Sequence, residues 1–243
     1  MILRNVGDRL QAILQDDHAA LAAFMLEHWS DHKFGDDPER EKIIRATRDH
    51  DNGWKADDAI PSRDPQTGLP IPFNRIDPDK ATTIWRRGTE RYLEDDPWHA
   101  LMITHHAYSI YELSHKRDPA WKAFFTEFAR QRAALRSRLG LSHPDVERAY
   151  SYLRMADWFS LRFCMEPTFG MGKPDTYGGY NFRNTGEEYQ FRPYPFDAQG
   201  RTFHLSAYEL DPAGYHSDKE LRQAFIDPIA IDVHLAPLPR TRR

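Results

Sequence analysis

The stretch Ile43–Trp54, IIRATRDHDNGW, decides how we interpret this chain, because its apolar spacing predicts a helix that ends on the dipeptide His50-Asp51. An aspartate at position 36 or 37 caps this helix, Pro38 suits its first turn, and Gly53 supplies the stop. His50 follows the apolar positions at helical spacing and therefore points toward the core. An imidazole beside a carboxylate can bind a divalent metal, although a lone histidine on an apolar face is more often a hydrogen-bonded core residue.

Composition limits the classes of protein to which this chain can belong. Its 243 residues fit one domain, and a net charge of -4 provides no basic surface for nucleic acid. No stretch is long and apolar enough to span a membrane, and the first residues lack a signal-peptide core. The single cysteine, Cys164, favours a reducing cytoplasm. We therefore expect a cytoplasmic protein with a small-molecule substrate and no nucleic-acid or membrane partner, and we leave open whether it forms a homodimer.

Residue periodicity predicts a mainly α fold, in which a small C-terminal antiparallel β-sheet packs on a bundle of helices. We expect one compact unit with a helical domain at 1–166, a long flap at 54–77 within it, and a loop with a small β appendage at 167–243. The other predicted helices span 8–30, 79–94, 98–114, 118–139 and 143–165. The predicted strands span 189–196, 201–210 and 229–235, and a loose tail covers 237–243.

Three further polar residues, His18, His106 and Asp157, each lie on an otherwise apolar face of a predicted helix. A carboxylate in such a place is costly unless it is paired or binds a metal. The alternatives are core histidines that bond to backbone carbonyls and an ion pair between Asp157 and an arginine such as Arg154. If the apolar faces share one core, two imidazoles and two carboxylates suit a divalent iron, manganese or zinc ion.

Five short motifs carry a resemblance to a known group of proteins. They are Gln15-Asp16-Asp17-His18-Ala19, His50-Asp51-Asn52-Gly53-Trp54 with Asp58 and Pro61 after it, Gly68-Leu69-Pro70 leading to Phe73, Thr104-His105-His106, and Asp157-Trp158-Phe159-Ser160-Leu161. This order of motifs resembles the HD-domain superfamily of metal-dependent phosphohydrolases. It is more similar still to an uncharacterised, mainly bacterial family of about this length. The motifs span about two thirds of the chain.

The resemblance implies an HD-domain-like helical bundle and assigns the metal ligands. His18, His50, Asp51 and Asp157 would hold the principal metal, and His106 would bind a second metal or the substrate. One or two divalent transition ions are therefore the expected cofactor. Many members of the superfamily carry a phosphate-binding lysine near the His-Asp pair, and Lys55 is the local candidate here.

We expect the reaction to be hydrolysis of a small phosphorylated or nucleotide-like substrate. Asp51 or Asp58 would orient the attacking water, and Lys55 would bind phosphate, although a solvated turn is the simpler interpretation of residues 55–58. Other candidate phosphate ligands are Arg45, Arg48, Arg86 and Arg154. Two alternatives remain open: a di-iron oxygenase that uses His106 or His105, and a non-catalytic protein that binds a small ligand at a degenerate site.

Overall fold

The computed structural model describes residues 1–240, with His32 described by its backbone alone, and places a run of helices between an N-terminal pair of strands and a C-terminal set of strands. The helices are α1 (Gln15–Glu27), α2 (His32–Gly35), α3 (Arg40–Arg48), α4 (Lys55–Ala59), α5 (Pro78–Glu90), α6 (Pro97–His115), α7 (Lys122–Leu139), α8 (His143–Met165) and α9 (Asp218–Gln223). The strands are β1 (Ile2–Val6), β2 (Arg9–Ile13), β3 (Asp175–Tyr177), β4 (Tyr180–Asn184), β5 (Glu188–Arg192), β6 (Thr202–Leu210) and β7 (Ile229–Pro237). The end of the predicted tail, 241–243, lies outside the described residues.

The strands form one curled, seven-stranded sheet in the order β1-β2-β6-β7-β5-β4-β3. Strands β5 and β7 pair in parallel, and the other neighbours are antiparallel. The predicted mainly α fold, an HD-domain-like helical bundle with a small antiparallel sheet, is therefore wrong. The sheet is mixed and substantial, and it draws strands from both predicted segments, 1–166 and 167–243.

The first part of the predicted helix at 8–30 is strand β2, which forms a β-hairpin with β1. Val6 pairs with Arg9 across a two-residue turn in which Gly7 has a φ of 64°, and Leu10 of β2 pairs with Leu210 of β6. The apolar residues around Leu10 and Ile13 fit helical spacing as well as a strand, so the pattern alone favoured the longer element. Glycine at the first position of a two-residue turn is typical of hairpins and was the signal for a strand.

A second hairpin occupies residues for which we expected only a loop. Tyr177 of β3 pairs with Tyr180 of β4 across Gly178 and Gly179, whose φ angles of 57° and 89° suit the tight turn. Because β3 has only three residues, it offers little alternation from which a strand could be recognised.

The helices that matter for the site pack together on the sheet. Helix α1 lies against both α3 and α8 and also contacts β6. Aromatic side chains join these layers: the ring of Phe159 on α8 packs against Phe182 and Phe191, and Tyr189 Oη donates a hydrogen bond of 3.0 Å to the Phe159 carbonyl oxygen. This packing fixes the rotation of α8, and with it the side chains that α8 presents to α1. Within the described residues, no helix has the length and apolar character needed to cross a membrane.

Candidate metal centre

Five polar side chains from four separate parts of the chain meet in the interior. Helix α1 provides His18, the turn after α3 provides His50 and Asp51, α6 provides His106, and α8 provides Asp157. The first four are buried, and the Asp157 side chain keeps 13% of its surface exposed. The structure thus brings together every residue that we expected to bind a metal.

Two imidazole nitrogens and two carboxylate oxygens form the centre of this cluster. His18 Nε2 lies 3.2 Å from His50 Nε2 and 3.2 Å from Asp51 Oδ2. Asp157 Oδ1 lies 3.3 Å from His50 Nε2 and 3.5 Å from His18 Nε2. Asp157 therefore faces the two histidines, and the alternative ion pair with Arg154 does not form.

Hydrogen bonds at the far nitrogens decide where each imidazole carries its proton. His50 Nδ1 donates to the Thr47 carbonyl oxygen at 2.7 Å. Ser160 Oγ donates to the Asp157 carbonyl oxygen at 3.0 Å, so it accepts from His18 Nδ1, which lies 2.8 Å away. A neutral imidazole protonated at Nδ1 has a lone pair on Nε2. With both imidazoles neutral, the two Nε2 lone pairs face each other.

This arrangement fits a divalent metal ion. While both imidazoles are neutral, these acceptor atoms have no donor between them and repel one another, and a cation among them removes that repulsion. Bonds of about 2.0–2.2 Å to zinc or a similar ion in a tetrahedral site would separate neighbouring ligand atoms by about 3.3–3.6 Å. The measured separations between the nitrogen and oxygen atoms, 3.2 to 3.6 Å, lie close to that range.

The shifted pKa values of the cluster also indicate that it favours a bound positive charge. Burial alone would lower the pKa of His50, but the carboxylates of Asp51 and Asp157 raise it to about 9. Burial would raise the pKa of Asp157, and the neighbouring histidines hold it below its usual value. A proton on His50 thus takes the place of the cation when no metal is bound, and metal binding would displace it.

His106 extends the cluster to one side. It forms a second group of potential ligands with His50 and Asp51, whose ligand atoms all lie within 4.8 Å of one another. Burial lowers the pKa of His106 to about 4, so its imidazole is neutral and able to ligate. The adjacent His105 points elsewhere, with Nε2 3.1 Å from Glu147 Oε1.

Two neighbours of the cluster position its members, although sequence reasoning gave neither a role. Gln15 Nε2 donates to Asp51 Oδ2 at 3.1 Å, and Ser160 accepts from His18. Both residues occur in the quoted motifs, which was the available signal.

Gly53, which we expected to stop the helix, serves a different purpose, because α3 already ends at Arg48. A Cβ on Gly53 would lie 2.1 Å from the Ile84 carbonyl oxygen, so glycine lets α5 approach the site closely.

The structure does not place Lys55 and Asp58 in the cluster. Lys55 Nζ lies 3.0 Å from Asp16 Oδ1. The Asp58 carboxylate accepts from the Met1 ammonium group at 2.8 Å and from the Gln15 backbone N–H at 2.8 Å. Asp58 thus anchors the first strand and the start of α1. Both residues were selected for their nearness in sequence to the His-Asp pair.

A cavity of about 660 Å³ opens beside the cluster. His18, Asp51, His106 and Asp157 form one part of its lining, and Arg154 also lines it. The aromatic residues of its walls are Trp54, Phe73, Trp85, Tyr111, Trp121, Tyr150, Trp158 and Tyr177. The volume is in the range of ordinary small-molecule sites.

Comparison with known proteins gives a family but no activity. A family model described as "Protein of unknown function (DUF3891)" matches residues 1–211. No curated protein and no solved structure matches the chain. The matched range contains all five clustered residues, so the cluster lies inside the part that the family model describes.

Proposed function

The chain belongs to the DUF3891 family, and we propose that it is a cytoplasmic metal-dependent phosphohydrolase that acts on a small phosphomonoester. The observation that carries this proposal is the cluster itself, which lies beside a cavity: the two imidazole Nε2 atoms are 3.2 Å apart, and an oxygen of each carboxylate lies 3.2 to 3.6 Å from both of them. His18, His50, Asp51 and Asp157 would hold the ion. The order of these ligands along the chain is part of the resemblance between this sequence and the HD-domain phosphohydrolases.

The reaction would hydrolyse a phosphomonoester to phosphate and an alcohol. Water provides an oxygen that bonds to phosphorus, the ester P–O bond breaks, and the alcohol leaves with a proton from that water. A divalent ion supplies polarisation of a phosphoryl oxygen and makes water more acidic. With a substrate bound, the aromatic walls of the cavity would limit the contact of the reacting group with bulk water, which would strengthen electrostatic interactions there.

Arg154 is the residue that would neutralise the phosphate. Of the cations suggested by the sequence, four are engaged elsewhere: Arg45 with Asp96, Arg48 and Lys55 with Asp16, and Arg86 with Glu127. The Arg154 guanidinium lies over the ring of Tyr150, 5.7 Å from the centroid, at the edge of the cavity. It forms no ion pair with any described residue and so remains available for a substrate anion.

The neighbours of the ligands would keep the centre in a productive arrangement. Thr47 and Ser160 hold His50 and His18 in the tautomer that presents Nε2 to the centre, and Gln15 restrains Asp51. Such outer hydrogen bonds orient metal ligands and increase their basicity.

A di-iron oxygenase is the second candidate, and the position of His106 favours it. Because His50, Asp51 and His106 form a second group of potential ligands that shares members with the first, two ions could bind side by side. An iron-loaded protein whose visible absorbance changes with oxygen, and which releases no phosphate from esters, would support the oxygenase. A colourless protein that releases phosphate would support the hydrolase.

The direct test is phosphate release from p-nitrophenyl phosphate with manganese, iron(II) or zinc added in turn. We compare the wild-type chain with His50→Gln and with His105→Gln, which changes a buried histidine that points away from the cluster. The proposal predicts activity that depends on metal, is lost in His50→Gln and persists in His105→Gln. It is wrong if wild-type protein with bound metal releases no phosphate, or if both variants behave alike.

A further inference from the structure

The cavity beside the cluster has walls that suit an apolar ligand. Eight aromatic side chains line it, together with the aliphatic residues Ile76, Ile110, Leu113 and Leu161. A pocket of about 660 Å³ holds far more than a phosphate group, so most of a bound molecule would contact these walls.

Positive charge around the cavity is sparse. Among the described lining residues, Arg154 is the only lysine or arginine, and the cluster adds two carboxylates, Asp51 and Asp157. A divalent ion would cancel the two carboxylates and leave the charge of Arg154 to balance one anionic group. Sites for di- and triphosphates require several cationic contacts, so this cavity does not suit them.

The rim of the cavity is apolar and open to solvent. Ile110, Leu113 and Trp158 line it with 38%, 98% and 41% of their surfaces exposed. They extend the apolar wall from the interior to the surface along one side, between α6 and α8. A ligand that reaches this rim would cover side chains that otherwise remain in water, and the gain in burial would favour its binding.

We infer that the substrate is an amphiphile, with one anionic phosphate at the cluster and a bulky apolar body along the aromatic walls toward Leu113. The inference rests on the proposed function for the phosphate and goes beyond it in naming the alcohol, which is apolar and is not a nucleoside polyphosphate. The ligand is a free amphiphile and not a lipid surface, because the binding volume lies inside the fold.

Non-hydrolysable alkylphosphonates test the ligand separately from the reaction. We measure the binding of butyl-, hexyl- and octylphosphonate to the metal-loaded protein by calorimetry. Burial of each added methylene should tighten binding about two- to fourfold, which gives roughly 16- to 250-fold from butyl to octyl. ATP should bind more weakly than octylphosphonate, and phosphatidylcholine vesicles with phosphatidic acid should not sediment the protein.

Two matched variants place the apolar body in the cavity. Leu113→Asp adds a charge at the rim and should weaken octylphosphonate at least fivefold while leaving butylphosphonate within twofold. Ile226→Asp changes another exposed aliphatic residue, 60% accessible and outside the cavity, and should alter neither. Equal affinity across the three phosphonates, tighter binding of ATP, or binding to vesicles without binding to octylphosphonate would each overturn the inference.

The phosphate esters of the same alcohols separate this inference from the proposed function. Alkylphosphonates that bind with the expected dependence on chain length, beside alkyl phosphates that are never cleaved, would refute the hydrolase and keep the ligand class. Cleavage of butyl and octyl phosphate with equal kcat/KM would keep the hydrolase and refute the amphiphile.

Discussion

Ser160→Ala tests the cluster through a residue that touches no substrate and would not itself bind the ion. Ser160 is fully buried on α8, and its Oγ accepts the Nδ1 proton of His18 at 2.8 Å. Alanine suits a helix at least as well as serine, so the substitution removes the hydrogen-bond acceptor with little effect on the helix itself. His18 would then keep a buried N–H without a partner, and its tautomer would no longer be fixed.

The size of the effect follows from these two losses. A buried donor without a partner costs about 1–3 kcal/mol, so the metal-free variant should lose that much free energy of unfolding in urea. Loss of the hydrogen bond that orients a metal ligand typically lowers metal affinity about 10- to 100-fold, equivalent to about 1.4–2.7 kcal/mol. We therefore expect the dissociation constant for zinc, measured by competition with a chromophoric chelator, to rise by that factor.

Ser151→Ala provides the matched control. Ser151 lies on the same helix, and its Oγ donates to the carbonyl oxygen three residues earlier, as that of Ser160 does, but its side chain faces solvent. It should leave both the zinc affinity and the free energy of unfolding near the wild-type values. If Ser160→Ala binds zinc within twofold of wild type, the inference that Ser160 sets the His18 tautomer for metal binding is refuted.

Three further variants test other parts of the account. Gly53→Ala should destabilise the fold by about 3 kcal/mol, because its Cβ would lie 2.1 Å from the Ile84 carbonyl oxygen, whereas Gly172→Ala, which meets nothing within 4 Å, should not; equal urea midpoints would contradict this. Asp157→Asn should keep the far-UV circular dichroism of the wild type but bind zinc at least tenfold more weakly, since it removes one of the two central carboxylates; unchanged affinity would count against Asp157 as a ligand. Arg154→Gln should raise KM for a phosphomonoester about tenfold with a smaller change in kcat, because its charge is expected to act mainly in binding; an unchanged KM would remove Arg154 from the site.

The helices with strong local signals could be predicted from the sequence. Helix α8 begins at His143 and ends at Met165, as expected, because Ser142 and Asp145 form a capping box and a proline occupies the first turn. These signals lie within a few residues of the element that they specify. The prediction of α8 therefore did not depend on the rest of the fold, and it was correct although the predicted architecture was not.

The order and pairing of the strands could not be predicted from local signals in the same way. Strand β2 pairs with β6, which places Leu10 beside Leu210. Strand β5 pairs with β4 on one side, but on its other side it pairs in parallel with β7 and not with β6, the next strand along the chain. The residue spacing within a strand does not indicate which distant strand it will pair with. The hydrophobic pattern at residues 9–13 was therefore assigned to the helix that follows it.

In the site, too, residues that interrupt an apolar helical face could be predicted from the sequence, whereas residues whose role depends on the tertiary fold could not. His18, His106 and Asp157 stood out because each interrupts an apolar face, and that signal survives errors in the ends of the helices. Ser160 and Gln15 did not stand out, because their roles depend on the orientation of a particular imidazole or carboxylate. Nearness in sequence selected Lys55 and Asp58, which the fold turns toward other partners.

Elemental analysis of the protein purified without chelators tests the central claim most directly. The account predicts at least one equivalent of iron, manganese or zinc per chain in the wild type. It predicts the same content in His105→Gln and less than a tenth of an equivalent in His50→Gln, with both variants folded by circular dichroism. Wild-type protein without a transition metal, which also fails to bind added iron, manganese or zinc at micromolar concentrations, would contradict the account.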